Sequence, residues 1–230
     1  MQNLIKTAVL SAGLEDRLPV TIAERTKKVY DRLSSIYHFS TMFFHQRAHR
    51  CALEQSGIRD GMRVLEIATG SGEMFRRLVK ANPRGTTIGL DLSPKMAART
   101  QREVNQEYPA AKASCQAVDA RHLPFRHEIF DAVVCCYLLE LLSQDDILRT
   151  IAEVKRVLRP GGSFTLVLIG ENTELFNTFY QIGGTMVPAF WGRQVENKVP
   201  GMLTDFEFRI EKDHTVRQTG YPSRVLTARK

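Results

Sequence analysis

Glu66-Ile67-Ala68-Thr69-Gly70-Ser71-Gly72 is the stretch of this 230-residue chain whose residue types say most about chemistry. Gly70 and Gly72 let the backbone pass close to a ligand with no Cβ in the way. Asp91 stands 19 residues after Gly72, the distance at which an acid can accept hydrogen bonds from both ribose hydroxyls. Further along, Asp119 offers a second carboxylate, suited to an exocyclic amine of a base. Each acid alone could equally be a loop-end cap or a surface charge. Together they describe a nucleoside pocket that makes no demand for phosphate, since no Lys or Arg stands in the loop. A dinucleotide site would need a third glycine where this chain has Phe75, which argues against a nicotinamide or flavin cofactor.

These groups need strand ends to hold them. Met62–Ala68 is a short apolar run leading into the glycines, and Phe75–Lys80 reads as helix. Thr86–Leu90 is strand-like. Ser93-Pro94 then opens a helix, with Ser as N-cap and Pro at the first helical position, that should run to about Glu107 and stop at Pro109. Ser114–Val118 is a weaker strand and Ile129–Cys136 a strong buried one. Asp145–Leu158 reads as an amphipathic helix ended by Pro160-Gly161-Gly162, and Ser163–Ile169 as the next strand. Strands alternating with helices imply parallel pairing and right-handed crossovers, hence a doubly wound α/β sheet. Phe206–Glu211 and Arg224–Ala228 are separated by a loop too short for a helical crossover, so they should pair antiparallel at the sheet edge. Before the sheet, Ile22 to Tyr37 keeps helical three-and-four spacing. A second helix is expected from about Thr41 to Gln55, with Phe44, Ala48 and Cys51 on one face and Gly57 ending it.

Composition is that of a globular protein, 43% hydrophobic and 25% charged, which excludes disorder, collagen-like repeats and coiled coil for the whole. Four cysteines with no C-x-x-C spacing fit neither a disulfide framework nor a zinc site. The expectation is a soluble cytoplasmic protein, possible peripheral contact with a membrane aside. The net charge of +7 is uneven: residues 1–56 carry eight Lys/Arg against five Asp/Glu, 57–192 sixteen against fifteen, and 193–230 eight against five. Basic flanks suit an anionic membrane surface, an acidic small molecule or nucleic acid, or merely solvate helical faces.

In combination, these motifs resemble a class I S-adenosylmethionine-dependent methyltransferase. VLEIATGSG is similar to that family's first motif, GLDLSP to its second and VDARHLPF to its adenine-contact segment. FDAVVCCYLLELL resembles the fourth strand, and VKRVLRPGGSF the helix-turn-strand before the fifth. The resemblance covers roughly residues 22–230. It implies a seven-stranded, mostly parallel Rossmann-like sheet with an antiparallel C-terminal strand, and S-adenosylmethionine as cofactor. It also implies roles. Glu66 would organise the loop around the methionine amine, with Ala68, Thr69, Gly70, Ser71 and Gly72 lining methionine and ribose. Asp91 would hold the ribose hydroxyls, Leu92 and Met96 would lie against the adenine, and Asp119 and Ala120 would frame its edge. Cys136 and Tyr137 would sit near the sulfonium, while Cys135 belongs to core packing. Ala68 departs from the Gly of many members, although some quinone-biosynthesis C-methyltransferases carry Ala there.

The segment around Tyr30-Asp31 resembles the lid helix of quinone-type and phospholipid-type methyltransferases, where Tyr30 and Tyr37 would close over the cofactor. Residues 1–56 would then form an N-terminal helical lid, and residues 57–230 the cofactor-binding domain with an acceptor-side insertion near 171–204. Met42-Phe43-Phe44 and the aromatics in 176–191 suit an apolar or lipid-like acceptor such as a quinol, or a phospholipid headgroup. Tyr137-Leu138-Leu139-Glu140 and Leu168-Ile169-Gly170-Glu171 lack the motifs usual in quinone enzymes, which makes that subgroup a relative. Methyl transfer needs orientation and exclusion of water more than a conspicuous catalytic group; His38 and Tyr137 are the candidates for one. His45 and His49 have metal-compatible spacing but no carboxylate companion in an H-E-x-x-H motif, so no metal is expected. The alternatives are an RNA or protein methyltransferase, against which no recognisable RNA-binding appendage is present, and a non-catalytic protein that binds the cofactor.

Overall fold

A computed structural model describes residues 45–170, 195–218 and 222–230. The lid segment with Tyr30, Tyr37 and His38, the stretch Met42-Phe43-Phe44 and the aromatics in 176–191 lie outside the described residues.

The described chain runs α1 (Gln46–Ser56), β1 (Arg63–Ile67), α2 (Glu73–Ala81), β2 (Thr86–Asp91), α3 (Pro94–Glu107), β3 (Ala113–Ala117) and β4 (Phe130–Cys136). A 3-10 turn (Leu139–Leu141) follows, then α4 (Gln144–Val157), β5 (Leu158–Ile169), α5 (Val199–Asp205), β6 (Arg209–Val216) and β7 (Ser223–Arg229). One seven-stranded sheet holds the strands in the order β3-β2-β1-β4-β5-β7-β6. β1 to β5 pair in parallel, and β7 runs antiparallel to both β5 and β6. The expected sheet is thus the observed one. The strand order reverses between β1 and β4, and a crevice opens at the carboxyl ends of strands at such a point.

Local chemistry sets the element ends. Gly57 closes α1 in the left-handed conformation, at φ 72°. The Ser93 hydroxyl accepts from Met96 N–H and Pro94 takes the first turn of α3. Ser143 caps α4, whose Asp145 and Asp146 in the first turn and Lys155 and Arg156 in the last complement the helix dipole. Both faces of the sheet are covered. Leu65, Ile67, Val133, Phe164 and Leu166 pack with Ile147, Ile151 and Val154 of α4 on one side. On the other, Val64, Val134 and Val167 pack with Ala48 and Ala52 of α1 and Met74 and Leu78 of α2.

Two boundaries differ from expectation. Pro160-Gly161-Gly162 lies inside β5, where the β4–β5 register shifts between Phe130 and Ala132. Gly161 takes φ 74°, and backbone bonds from Gly161 to Lys230 and from Lys230 to Gly162 tie this irregular stretch to the end of β7. A local pattern cannot show a pairing that distant. Phe206 ends α5, and β6 starts at Arg209 and reaches Val216. β6 is the exposed sheet edge, so its side chains carry no apolar alternation to read.

Candidate functional site

The loop between β1 and α2 is built from left-handed residues: Ala68 at φ 61°, Gly70 at 50° and Gly72 at 75°. Its backbone is anchored to β2, by Thr69 N–H to the Leu90 carbonyl at 3.0 Å and by Gly70 N–H to Asp91 Oδ2 at 2.7 Å. The other Asp91 oxygen accepts from Ser93 N–H at 2.8 Å. Asp91 therefore holds the glycine loop and the start of α3 together. Phe75 is buried where a dinucleotide fold would bring helix and strand close, and Gly89 makes room for it. A Cβ at Gly89 would lie 2.7 Å from Thr69 Cγ2 and 2.8 Å from Phe75 Cε2.

A cavity opens over the carboxyl ends of β1, β2 and β4. Its wall includes Glu66, Ala68, Thr69, Gly70 and Ser71 from the loop, and Asp91, Leu92 and Met96 from the second strand end. Asp119 and Ala120 line it after β3, and Cys136 and Tyr137 at the end of β4. Of the expected contact residues, Gly72 stands behind this wall. A Cβ there would meet Thr100 Oγ1 at 2.8 Å, so Gly72 serves the packing of α3 on the loop. Cys135 sits in the core, as expected.

The electrostatics run from one end of the cavity to the other. Glu66 is 1% exposed, and its Oε2 makes no hydrogen bond among the described residues. Burial, then the charge of Asp91, pushes its acid well above the usual range. An ammonium group there would supply the missing partner and restore the carboxylate. At the far end, burial acts to raise Asp119, but the Arg121 guanidinium outweighs it and holds the carboxyl below its usual range. Arg121 bonds Asp119 at 2.6 Å and Asp146 at 3.1 Å. Cys136 is kept a thiol by burial.

Several lining residues escaped the sequence reading. Arg121, Met74, Leu138, Leu141 and Leu142 line the cavity, as do His45 and His49. The His45 ring stacks on Tyr137 at 4.1 Å, and His49 Nδ1 lies 3.7 Å from Glu73 Oε2. Burial lowers the two imidazoles to about 4 and about 3, so both are neutral near pH 7. The usable signal was that His49 shares a helix face with Ala48 and Ala52. No group of three or more potential ligands able to hold a metal exists among the described residues. Tyr137 takes φ 54°, and its hydroxyl bonds the Ser223 hydroxyl at 2.7 Å.

Residues 64–162 match the family model described as a methyltransferase domain. The chain is 26% identical to the ubiquinone/menaquinone biosynthesis C-methyltransferase of Methylococcus capsulatus, over 76% of this chain and 72% of that one. It is 29% identical to the demethylmenaquinone methyltransferase of Staphylococcus aureus, over 75% and 69%. Among solved structures, magnesium protoporphyrin IX methyltransferase from Synechocystis, with S-adenosylhomocysteine bound, superposes at TM-score 0.70 and 19% identity, covering 91% of this chain and all of that one. A [4+2]-cyclase shares the fold at TM-score 0.74 and 16% identity, over 93% and 98%. The fold alone therefore leaves the reaction open.

Fold, loop and matching domain define a Rossmann-like methyltransferase that uses S-adenosylmethionine. Residues 64–162 form its methyltransferase domain, and over about three quarters of its length the chain is similar to the quinone-biosynthesis C-methyltransferases. No helix among the described residues is long and apolar enough to cross a membrane.

Proposed function

We propose that the enzyme methylates a small apolar acceptor with an acidic hydroxyl, a hydroquinone-like ring. The observation that carries this is the character of the cavity beside Glu66. Leu138, Leu141, Leu142, Met74 and Tyr137 are apolar or aromatic, and the two imidazoles among them are neutral. The names of the related enzymes agree with it. A phosphate-bearing headgroup would want an available cation. Among the described residues, the arginine that lines this cavity, Arg121, already spans two carboxylates.

In this reading, S-adenosylmethionine supplies a methyl group on a positively charged sulfur. Glu66 receives its ammonium, and residues 68–71 pass along its methionine and ribose. Asp91 takes the ribose hydroxyls with the lone pairs left by its two backbone bonds. Leu92 and Met96 pack on the adenine, whose edge meets Asp119 and Ala120. Cys136 and Tyr137 stand by the sulfur. The lid expected in the N-terminal segment, with Tyr30 and Tyr37, lies outside the described residues. The basic flanks give peripheral contact with an anionic bilayer that holds the acceptor.

The test is transfer of radiolabelled methyl from S-adenosylmethionine to four probes: a short-chain naphthohydroquinone, phospholipid vesicles, a small-amine mixture and RNA. Label is expected in the hydroquinone. Label confined to lipid, amines or RNA would replace this acceptor class.

A further inference from the structure

We propose that His49 is the proton acceptor of the methylation, oriented by the carboxylate of Glu73. The inference rests on the acceptor reading above, because an acceptor with an acidic hydroxyl must give up a proton when it gains a methyl group.

His49 lines the cavity beside Tyr137 and Cys136. Its Nδ1 faces Glu73 Oε2 at 3.7 Å, which leaves Nε2 for a substrate proton. Neither Nδ1 nor that Glu73 oxygen makes a hydrogen bond among the described residues. Glu73 is fixed from its other oxygen by Arg77 at 2.9 Å. Base, orienting carboxylate and a group that fixes the carboxylate are the parts of a general-base relay, and such contacts tighten when substrate binds.

Charge balance favours this placement. The ionisable groups around His49 are His45 just before α1, Glu73 and Arg77 on α2, Glu66 at the end of β1, and Cys136 and Tyr137 at the end of β4. A neutral imidazole is the state compatible with a cationic sulfur nearby. In the reaction the acceptor exchanges a bond to hydrogen for a bond to the methyl carbon. The electron pair of the methyl–sulfur bond stays on sulfur, and the proton passes to Nε2. One positive charge leaves sulfur as one appears on the imidazole, within reach of Glu73. The proton then goes to water as product departs. Desolvation depresses His49, and its neighbours His45 and Arg77 add to that. Loss of the sulfonium charge removes a further depressing charge when the proton must be held.

Two measurements test this. In steady state with the naphthohydroquinone, His49→Asn should lower kcat roughly a hundredfold or more. Its dissociation constant for S-adenosylmethionine should stay within about threefold of the parent's, a difference below one kcal/mol. Glu73→Gln should lower kcat less and shift the acid limb of the pH profile. An unchanged kcat in a folded His49→Asn protein, or a loss confined to cofactor affinity, would overturn the proposal. The second measurement needs neither acceptor nor variant activity. NMR titration of histidine-labelled wild-type enzyme should give His49 at least roughly tenfold higher proton affinity with S-adenosylhomocysteine bound than with S-adenosylmethionine, because only the latter carries the sulfonium charge. Equal midpoints would place His49 away from the sulfur and reject it as the base. If the wild type leaves the hydroquinone unmethylated, the acceptor reading falls, and the titration still decides His49.

Discussion

At the scale of single residues, Asp91 carries two duties that the sequence shows as one. Its spacing from the glycine loop spoke only of ribose. The structure adds that each carboxylate oxygen accepts a backbone N–H, from Gly70 and from Ser93. Asp91→Ala is therefore expected to weaken S-adenosylmethionine binding tenfold or more, about 1.4 kcal/mol. It should also cost about 1–3 kcal/mol of stability, since two partly buried donors lose their acceptor. Asp91→Asn separates the duties. An amide can accept from one N–H but presents a donor to the other, so part of the loop anchoring survives. Calorimetric titration beside urea unfolding checks both, and unchanged affinity in both variants would remove Asp91 from the site. Ala68 shows the same reach of backbone into chemistry. At φ 61° it occupies a conformation that favours glycine, which accounts physically for the glycine that many members of the class carry there.

At the scale of elements, the 3-10 turn after β4 is locked to the end of β5 by a buried acid. Glu140 is 2% exposed, and its Oε1 accepts from Ile169 N–H at 2.7 Å. Burial, with the nearby Glu196 charge adding to it, raises the acid from 4.5 to about 7. A folded value above the unfolded one means that its stabilising contribution is full below pH 4.5 and is lost as the pH climbs to about 7. Glu140→Gln keeps an acceptor for Ile169 and removes the titration. Between those two pH values, wild type should lose on the order of 3 kcal/mol relative to the variant, read from urea unfolding curves at each pH. Parallel curves would assign the ionisation elsewhere. This acid also marks the limit of what the sequence discloses. β1, β2, β4 and their helices were legible because capping residues and buried apolar runs are local signals. So was the wall at the strand ends, because the fold fixes where loops emerge. Glu140 and the imidazoles near α1 were not, since their meaning comes from partners far along the chain, and Arg121 was not because its second carboxylate, Asp146, lies 25 residues on. The start of β5 and the extent of β6 failed for a related reason: one is set by pairing with Lys230, and the other faces water.

For the whole molecule, the question is what the +7 net charge does. Several of the tail's cations are paired on the surface, mostly with acids of the same tail, so its excess of positive charge persists. Arg224 pairs with Asp213, Arg209 and Arg229 with Glu211, and Lys230 with Glu128. Exposed pairs of this kind contribute little to stability, but they cancel charge seen from a distance. Arg47, Lys212 and Arg217 remain as an exposed group where α1 meets the sheet edge. There Arg47 donates to the Arg217 carbonyl at 3.5 Å and Lys212 to the Gln55 carbonyl at 3.2 Å. Those bonds go to backbone oxygens, so among the described residues they bring no carboxylate to these charges. They also tie β6 and the residue after it to the helix that carries His49. Three such cations supply about 1 kcal/mol each near an anionic surface, enough for attachment at low salt and too little to survive screening. The enzyme is expected to sediment partly with phosphatidylserine vesicles at low ionic strength and to be released as salt is raised. Lys212→Glu with Arg217→Glu should abolish the attachment while leaving methylation of a water-soluble hydroquinone unchanged, because neither side chain lines the cavity. Binding that survives both reversals, or no binding at low salt, would leave this cationic group as ordinary solvated surface and require another route for an apolar acceptor.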